Sequence, residues 1–66
     1  MRKSYKYRVV SELETSGEKR EKRFDGYEEM LDYLGFVVMV AQKVEVYFKV
    51  GGEWALVKEM NLIKIV

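Results

Sequence analysis

Leu34-Gly35-Phe36-Val37-Val38-Met39-Val40-Ala41, eight residues with no charged or polar side chain, decides how this 66-residue chain folds. Read as helix, the stretch extends an amphipathic stripe that begins upstream. Tyr27, Met30, Leu31, Leu34, Val38 and Ala41 recur at three-, four- and seven-residue steps and gather about one line of a helix. Read as strand, Gly35 caps a helix that stops at Leu34, and the β-prone residues 36–41 form a buried strand turning at Gln42-Lys43. The stripe stays in phase across Gly35, and a glycine inside a helix costs only about 1 kcal/mol relative to alanine. That favours a single helix over about 26–42. Asp25-Gly26-Tyr27-Glu28 marks its start, with Asp25 as N-cap and Glu28 closing a capping box. Glu28, Glu29 and Asp32 then occupy the first turns, where the helix dipole favours negative charge.

Working outward, a glycine signal lies on each side of the helix. Thr15-Ser16-Gly17-Glu18 and Val50-Gly51-Gly52-Glu53 each separate two alternating runs, the pattern of a β-hairpin. In the first, Tyr5, Tyr7, Val9 and Leu13 share one face, and Lys6, Arg8, Val10 and Glu12 the other. A two-residue turn at Ser16-Gly17 sets Val9 opposite Phe24 and Glu14 opposite Lys19, but also Glu12 opposite Glu21, an unfavourable pair. In the second, a turn at Gly51-Gly52 pairs Val46 with Val57, Phe48 with Ala55, Glu45 with Lys58, Tyr47 with Leu56 and Lys49 with Trp54. Leu62-Ile63-Lys64-Ile65-Val66 extends the last strand beyond a bend near Asn61. The expectation is an α+β, ββαββ domain spanning 1–66, with two antiparallel hairpins forming one sheet and the helix packed on it.

On the helical reading, Tyr33, Phe36, Met39 and Val40 fall on the side away from the stripe. Leaving Phe36, Met39 and Val40 in water forgoes roughly 5–8 kcal/mol of burial, at about 1.5–3 kcal/mol for each large side chain. A strand apolar on both faces needs a second cover as well. The simplest supplier is another copy in a two-fold arrangement, so a homodimer with Tyr33, Phe36, Met39 and Val40 at its interface is expected. The alternative is a monomer whose C-terminal tail lies over this face.

Size and composition narrow the chemistry. A chain this short forms one marginal core, which small domains supplement with disulfides, metals or oligomerisation. The chain has no Cys and no His, which removes disulfides, thiolate nucleophiles, the usual zinc sites and imidazole acid–base chemistry. Only Ser4, Ser11, Ser16 and Thr15 carry aliphatic hydroxyls, and no imidazole is there to activate one. Gly51-Gly52 is a hairpin turn rather than a phosphate loop, because no helix follows it. The acidic cluster Glu28, Glu29 and Asp32 is explained by a helix N-terminus. No enzyme, cofactor or metal is therefore expected. The opening MRKSYKYR leads into no apolar signal segment, and the apolar run is too short to span a bilayer, which points to a cytoplasmic protein. A charged fraction of 35% with little Asn or Gln leans towards a thermophile.

Two surfaces remain as partner candidates. Tyr47, Trp54 and Leu56 share the sheet face away from the helix, where they either mark a protein contact or form a satellite cluster with the tail residues. The first hairpin, with Lys6, Arg8, Arg20 and Arg23 interleaved with tyrosines, has the composition of a nucleic-acid platform. Residues 1–26 hold eight Lys/Arg against five Asp/Glu, a local charge of +3. Glu12, Glu14, Glu18 and Glu21 interrupt those cations, as on an edge strand charged against aggregation.

FDGYEEMLDYL at 24–34 followed by VEVYFKVGGEWALVKE at 44–59 resembles a pattern of small uncharacterised phage and prokaryotic proteins: hairpin, helix, and a second hairpin with a V-E-V-Y strand and a G-x-W-x-L-V return. The resemblance implies a ββαββ fold and no active residues. The apolar second half of the helix departs from it, since a charged outer face is expected there. The reading favoured overall is a homodimeric, non-enzymatic protein–protein interaction module, an accessory or inhibitory factor whose protein partner is unknown. The alternative is a small nucleic-acid-binding dimer using the first hairpin.

Overall fold

Four strands and one helix follow one another in the computed structural model, which describes residues 5–62: β1 (Tyr7–Leu13), β2 (Lys19–Phe24), α1 (Tyr27–Val37), β3 (Ala41–Val50) and β4 (Glu53–Asn61). The strands form one antiparallel sheet in the order β2-β1-β3-β4, which is the expected ββαββ arrangement. The expected extension of the last strand through Ile63, Lys64, Ile65 and Val66 lies outside the described residues.

Central strands need an apolar inner face, and β1 and β3 have one. Val9 pairs with Val46 and Ser11 with Val44, all four buried. Phe24 at the end of β2 and Met30 and Val37 from α1 complete the core with Ala41. The edge strand β2 is otherwise exposed and charged, as expected where an unpaired edge must not recruit another chain.

The first hairpin departs from the expected register. Instead of a two-residue turn, the residues 14–17 form the loop, closed by Leu13 N–H donating to Glu18 O at 2.9 Å and Gly17 N–H to Leu13 O at 2.9 Å. Gly17 takes the left-handed conformation this closure requires, with φ 71°. Tyr7, not Val9, therefore faces Phe24, and Glu12 faces Lys19. The longer loop replaces the unfavourable Glu12–Glu21 pair with one of opposite sign.

The second hairpin turns at Gly51 (φ 57°) and Gly52 (φ 83°), the pair of positive φ values of a type I′ turn. Tyr47–Leu56, Phe48–Ala55 and Lys49–Trp54 pair as expected. Beyond them a bulge opposite Val46/Tyr47 shifts the ladder by one, so Val46 faces Lys58 and Glu45 faces Glu59. The expected Val46–Val57 and Glu45–Lys58 pairs are not made. Val57 becomes the extra residue on β4, and bulges of this kind are common on edges.

The helix starts and ends elsewhere than expected. Its N-cap is Gly26, with no side-chain capping hydrogen bond, so Asp25 is not the cap. Glu29 lies over Gly26 instead: a Cβ built on that glycine would come within 2.9 Å of Glu29 Oε1. The helix runs through Gly35, against the alternative that stopped it at Leu34, but ends at Val37 rather than near residue 42. Met39 N–H bonds to Phe36 O and Val40 N–H to Val37 O, both at 3.1 Å, a final tightening into 3₁₀ geometry. The ladder explains the stop. Ala41 pairs with Leu13, and Glu14 N–H donates to Val40 O at 3.2 Å. Ala41 and Val44 are fully buried on the sheet, a gain that continuing the helix would forfeit.

Candidate functional site

The helix is too narrow for its sheet. A helix is about 10 Å across, whereas four strands at about 4.8 Å spacing present nearly twice that width. α1 lies against β1 and β2. Towards β4 the same face stays open as a groove of about 350 Å³, walled by Tyr27, Leu31 and Leu34 of α1, floored by Val46 and Phe48 of β3, and closed by Val57 and Lys58 of β4. Leu31 and Val57 are 43% and 55% exposed. The bulge brings Val57 to this wall. At one end Tyr27, Tyr7 and Phe48 meet edge to face, with ring centroids 5.1–6.3 Å apart, which holds the groove's aromatic corner in place.

A second recess, of about 440 Å³, lies on the other flank of the helix, between its C-terminal end and the β1–β2 hairpin. Leu13, Tyr33, Phe36, Met39 and Val40 supply apolar walls, and Ser11 and Arg20 supply polar groups. Composition gave no hint of Ser11, since a lone serine in an alternating run reads as a tolerated strand residue. It is 1% exposed, and its Oγ has no hydrogen-bond partner among the described residues.

The four residues expected to form a dimer interface do not make one helix face. Because α1 ends at Val37, Met39 and Val40 belong to the turn after it. Tyr33 is half-buried against the core, its ring 5.3 Å from Phe24 and beneath the Lys22 ammonium at 5.1 Å. Phe36 and Met39 stay 62% and 70% exposed. The outward side of the helix carries Glu28, Asp32 and Gly35, all exposed, so it is polar.

Tyr47, Trp54 and Leu56 do come together on the outer face of the sheet, through the Tyr47–Leu56 and Lys49–Trp54 pairs. Cations cover both rings: Arg8 Cζ lies 5.1 Å from the Tyr47 centroid and Lys49 Nζ 5.3 Å from that of Trp54. The surface is that of a solvated sheet with cation–π contacts.

The four basic residues expected to meet nucleic acid are divided. Arg8 Nη2 and Arg23 Nε donate to the two oxygens of Glu21 at 2.7 and 2.8 Å. Arg20 pairs across from Ser11 and so points to the helix side, 3.8 Å from Glu18. Lys6 precedes the strand and is exposed. Burial pushes the Glu21 carboxyl up, but the hydrogen bonds and charges of Arg23 and Arg8 outweigh it and bring its pKa below the usual 4.5. The two arginines are thus engaged by a carboxylate that stays ionised.

Among the described residues no group of three or more acidic side chains is placed to hold a metal ion, and no helix is long and apolar enough to cross a membrane. The described residues thus form two largely apolar concavities, one on each flank of the helix. Comparison with known proteins found no matching family model, curated protein or solved structure.

Proposed function

We propose that this protein is a non-enzymatic interaction module of the cytoplasm, an accessory or inhibitory factor whose working surface is the groove over β3 and β4. The observation that carries this reading is the half-covered sheet. Tyr27, Leu31, Leu34, Phe48 and Val57 form a continuous apolar concavity beside the edge strand β4, the shape that receives an amphipathic segment of another protein. A second copy is a poor occupant, because its helix would lay Glu28 and Asp32 on an apolar floor. The resemblance to small phage and prokaryotic proteins rests on sequence motifs alone and adds no role to this reading.

Lysine at Leu31 and Val57 tests it. Both positions are exposed, so the double variant should melt within a few degrees of the native protein. It should lose most of the fluorescence enhancement of an apolar dye, and any protein captured by the native chain should be absent from the variant. Unchanged dye binding would show that the groove is not the sticky surface.

Self-association is a second reading, favoured by the exposure of Phe36 and Met39 at one corner. Light scattering of the native chain and of a Phe36→Glu, Val40→Lys variant decides it: a dimer that becomes a folded monomer supports the corner as interface, and a native monomer rejects it. A nucleic-acid role finds less support, since Arg8 and Arg23 share Glu21 and Arg20 lies on the opposite face.

A further inference from the structure

We infer that the recess between the end of α1 and the β1–β2 hairpin is a binding site for a small carboxylate with an aliphatic tail. Its volume of about 440 Å³ falls within the roughly 300–1,000 Å³ typical of small-ligand sites. One part of its lining is polar. Ser11 and Arg20 are direct cross-strand partners on the helix side of the sheet, so their Cβ atoms lie about 5 Å apart. Ser11 Oγ is buried and has no hydrogen-bond partner among the described residues. Such a hydroxyl carries an unrelieved desolvation penalty, which a ligand oxygen accepting its proton would remove. Arg20 also lines the recess, and its guanidinium, 3.8 Å from Glu18, is largely exposed.

A carboxylate matches this pair. One oxygen accepts from the Ser11 hydroxyl and the other from the Arg20 guanidinium. A doubly charged phosphate matches less well, because Glu14 also lines the recess and Glu18 stands beside Arg20. The rest of the lining, Leu13, Tyr33, Phe36, Met39 and Val40, is apolar and takes the tail. The site lies on the other flank of the helix from the groove over β3 and β4, so it stands or falls independently of that groove.

The test is a titration of hexanoate, octanoate and octanol into the native chain, Arg20→Gln and Ser11→Ala, followed by chemical shifts and by light scattering. The expected result is saturable octanoate binding with shifts concentrated at Tyr33, Phe36 and Met39. Affinity should rise about fourfold for each added methylene buried, fall at least tenfold in Arg20→Gln and in Ser11→Ala, and be weaker for octanol. The Leu31→Lys, Val57→Lys variant should bind octanoate as the native chain does. Absence of saturation below the micelle-forming concentration overturns the inference. So does equal binding of octanol, unchanged binding by Arg20→Gln, or a dimer whose second copy shields Phe36 and Met39 from the ligand.

Discussion

Ser11→Ala should stabilise the ligand-free protein, against the usual direction for substitutions in a core. Ser11 is 1% exposed on the inner face of β1, between Arg20 on β2 and Val44 on β3, and its Oγ has no hydrogen-bond partner among the described residues. Leaving a polar group buried and unpaired costs about 1–3 kcal/mol. Removing the oxygen relieves that penalty and leaves a void of one heavy atom. At about 24 cal/mol per Å³, and roughly 20 Å³ of void, the loss is near 0.5 kcal/mol. The net gain is about 1 kcal/mol, which for a domain this small corresponds to a rise in Tm of roughly 4–8 °C. Thermal melts followed by circular dichroism, with urea titration alongside, measure it. Ser11→Cys, which fills the space with a weakly polar thiol, should move in the same direction. A fall of several degrees in both variants would refute the reasoning, because it would mean the hydroxyl is satisfied in solution.

Other substitutions separate local from tertiary contributions. Gly35→Ala removes a glycine from the interior of α1 at a position where an added Cβ meets nothing within 4 Å. It should raise stability by up to about 1 kcal/mol, read as an increase in Tm, and a decrease would mean that the outward side of the helix is covered. Met30→Ala empties one of the largest fully buried sites and should cost about 3 kcal/mol, lowering Tm by roughly 20 °C; a loss under about 1 kcal/mol would show that the helix is not anchored there. Glu21→Gln should flatten the acid limb of the stability profile. The folded pKa of Glu21 lies below its ordinary 4.5, so its contribution is present above 4.5 and fades as pH falls through the lower folded value. Native stability should therefore drop more steeply than that of the variant below about pH 4.5. The difference should shrink in high salt, since the Arg8–Glu21–Arg23 cluster is partly exposed. Equal profiles would mean the cluster does not persist in solution.

Much of this architecture is legible locally. Gly17 and the Gly51-Gly52 pair mark both turns because left-handed backbone conformations favour glycine. Alternation assigns Val9 and Val46 to the core, since side chains in a strand change face at every residue. The Lys49–Trp54 contact follows from the turn register alone. By itself, then, the sequence determines two hairpins around one helix and which side of each central strand turns inward, and its lack of Cys and His removes disulfides, thiolates and imidazoles.

Tertiary structure decides the rest. Helical phase continues through Val38 and Ala41, yet the chain leaves the helix at Val37 because Ala41 is more stable paired with Leu13 across the sheet. No window of a few residues contains that competition. The bulge at Val57, the inward position of Tyr33 and the burial of Ser11 depend likewise on strands and a helix distant in sequence. The groove beside Val57 arises because one short helix covers only part of a four-stranded sheet. Width matched against width is a property of assembled layers, and it belongs to no single segment of the chain.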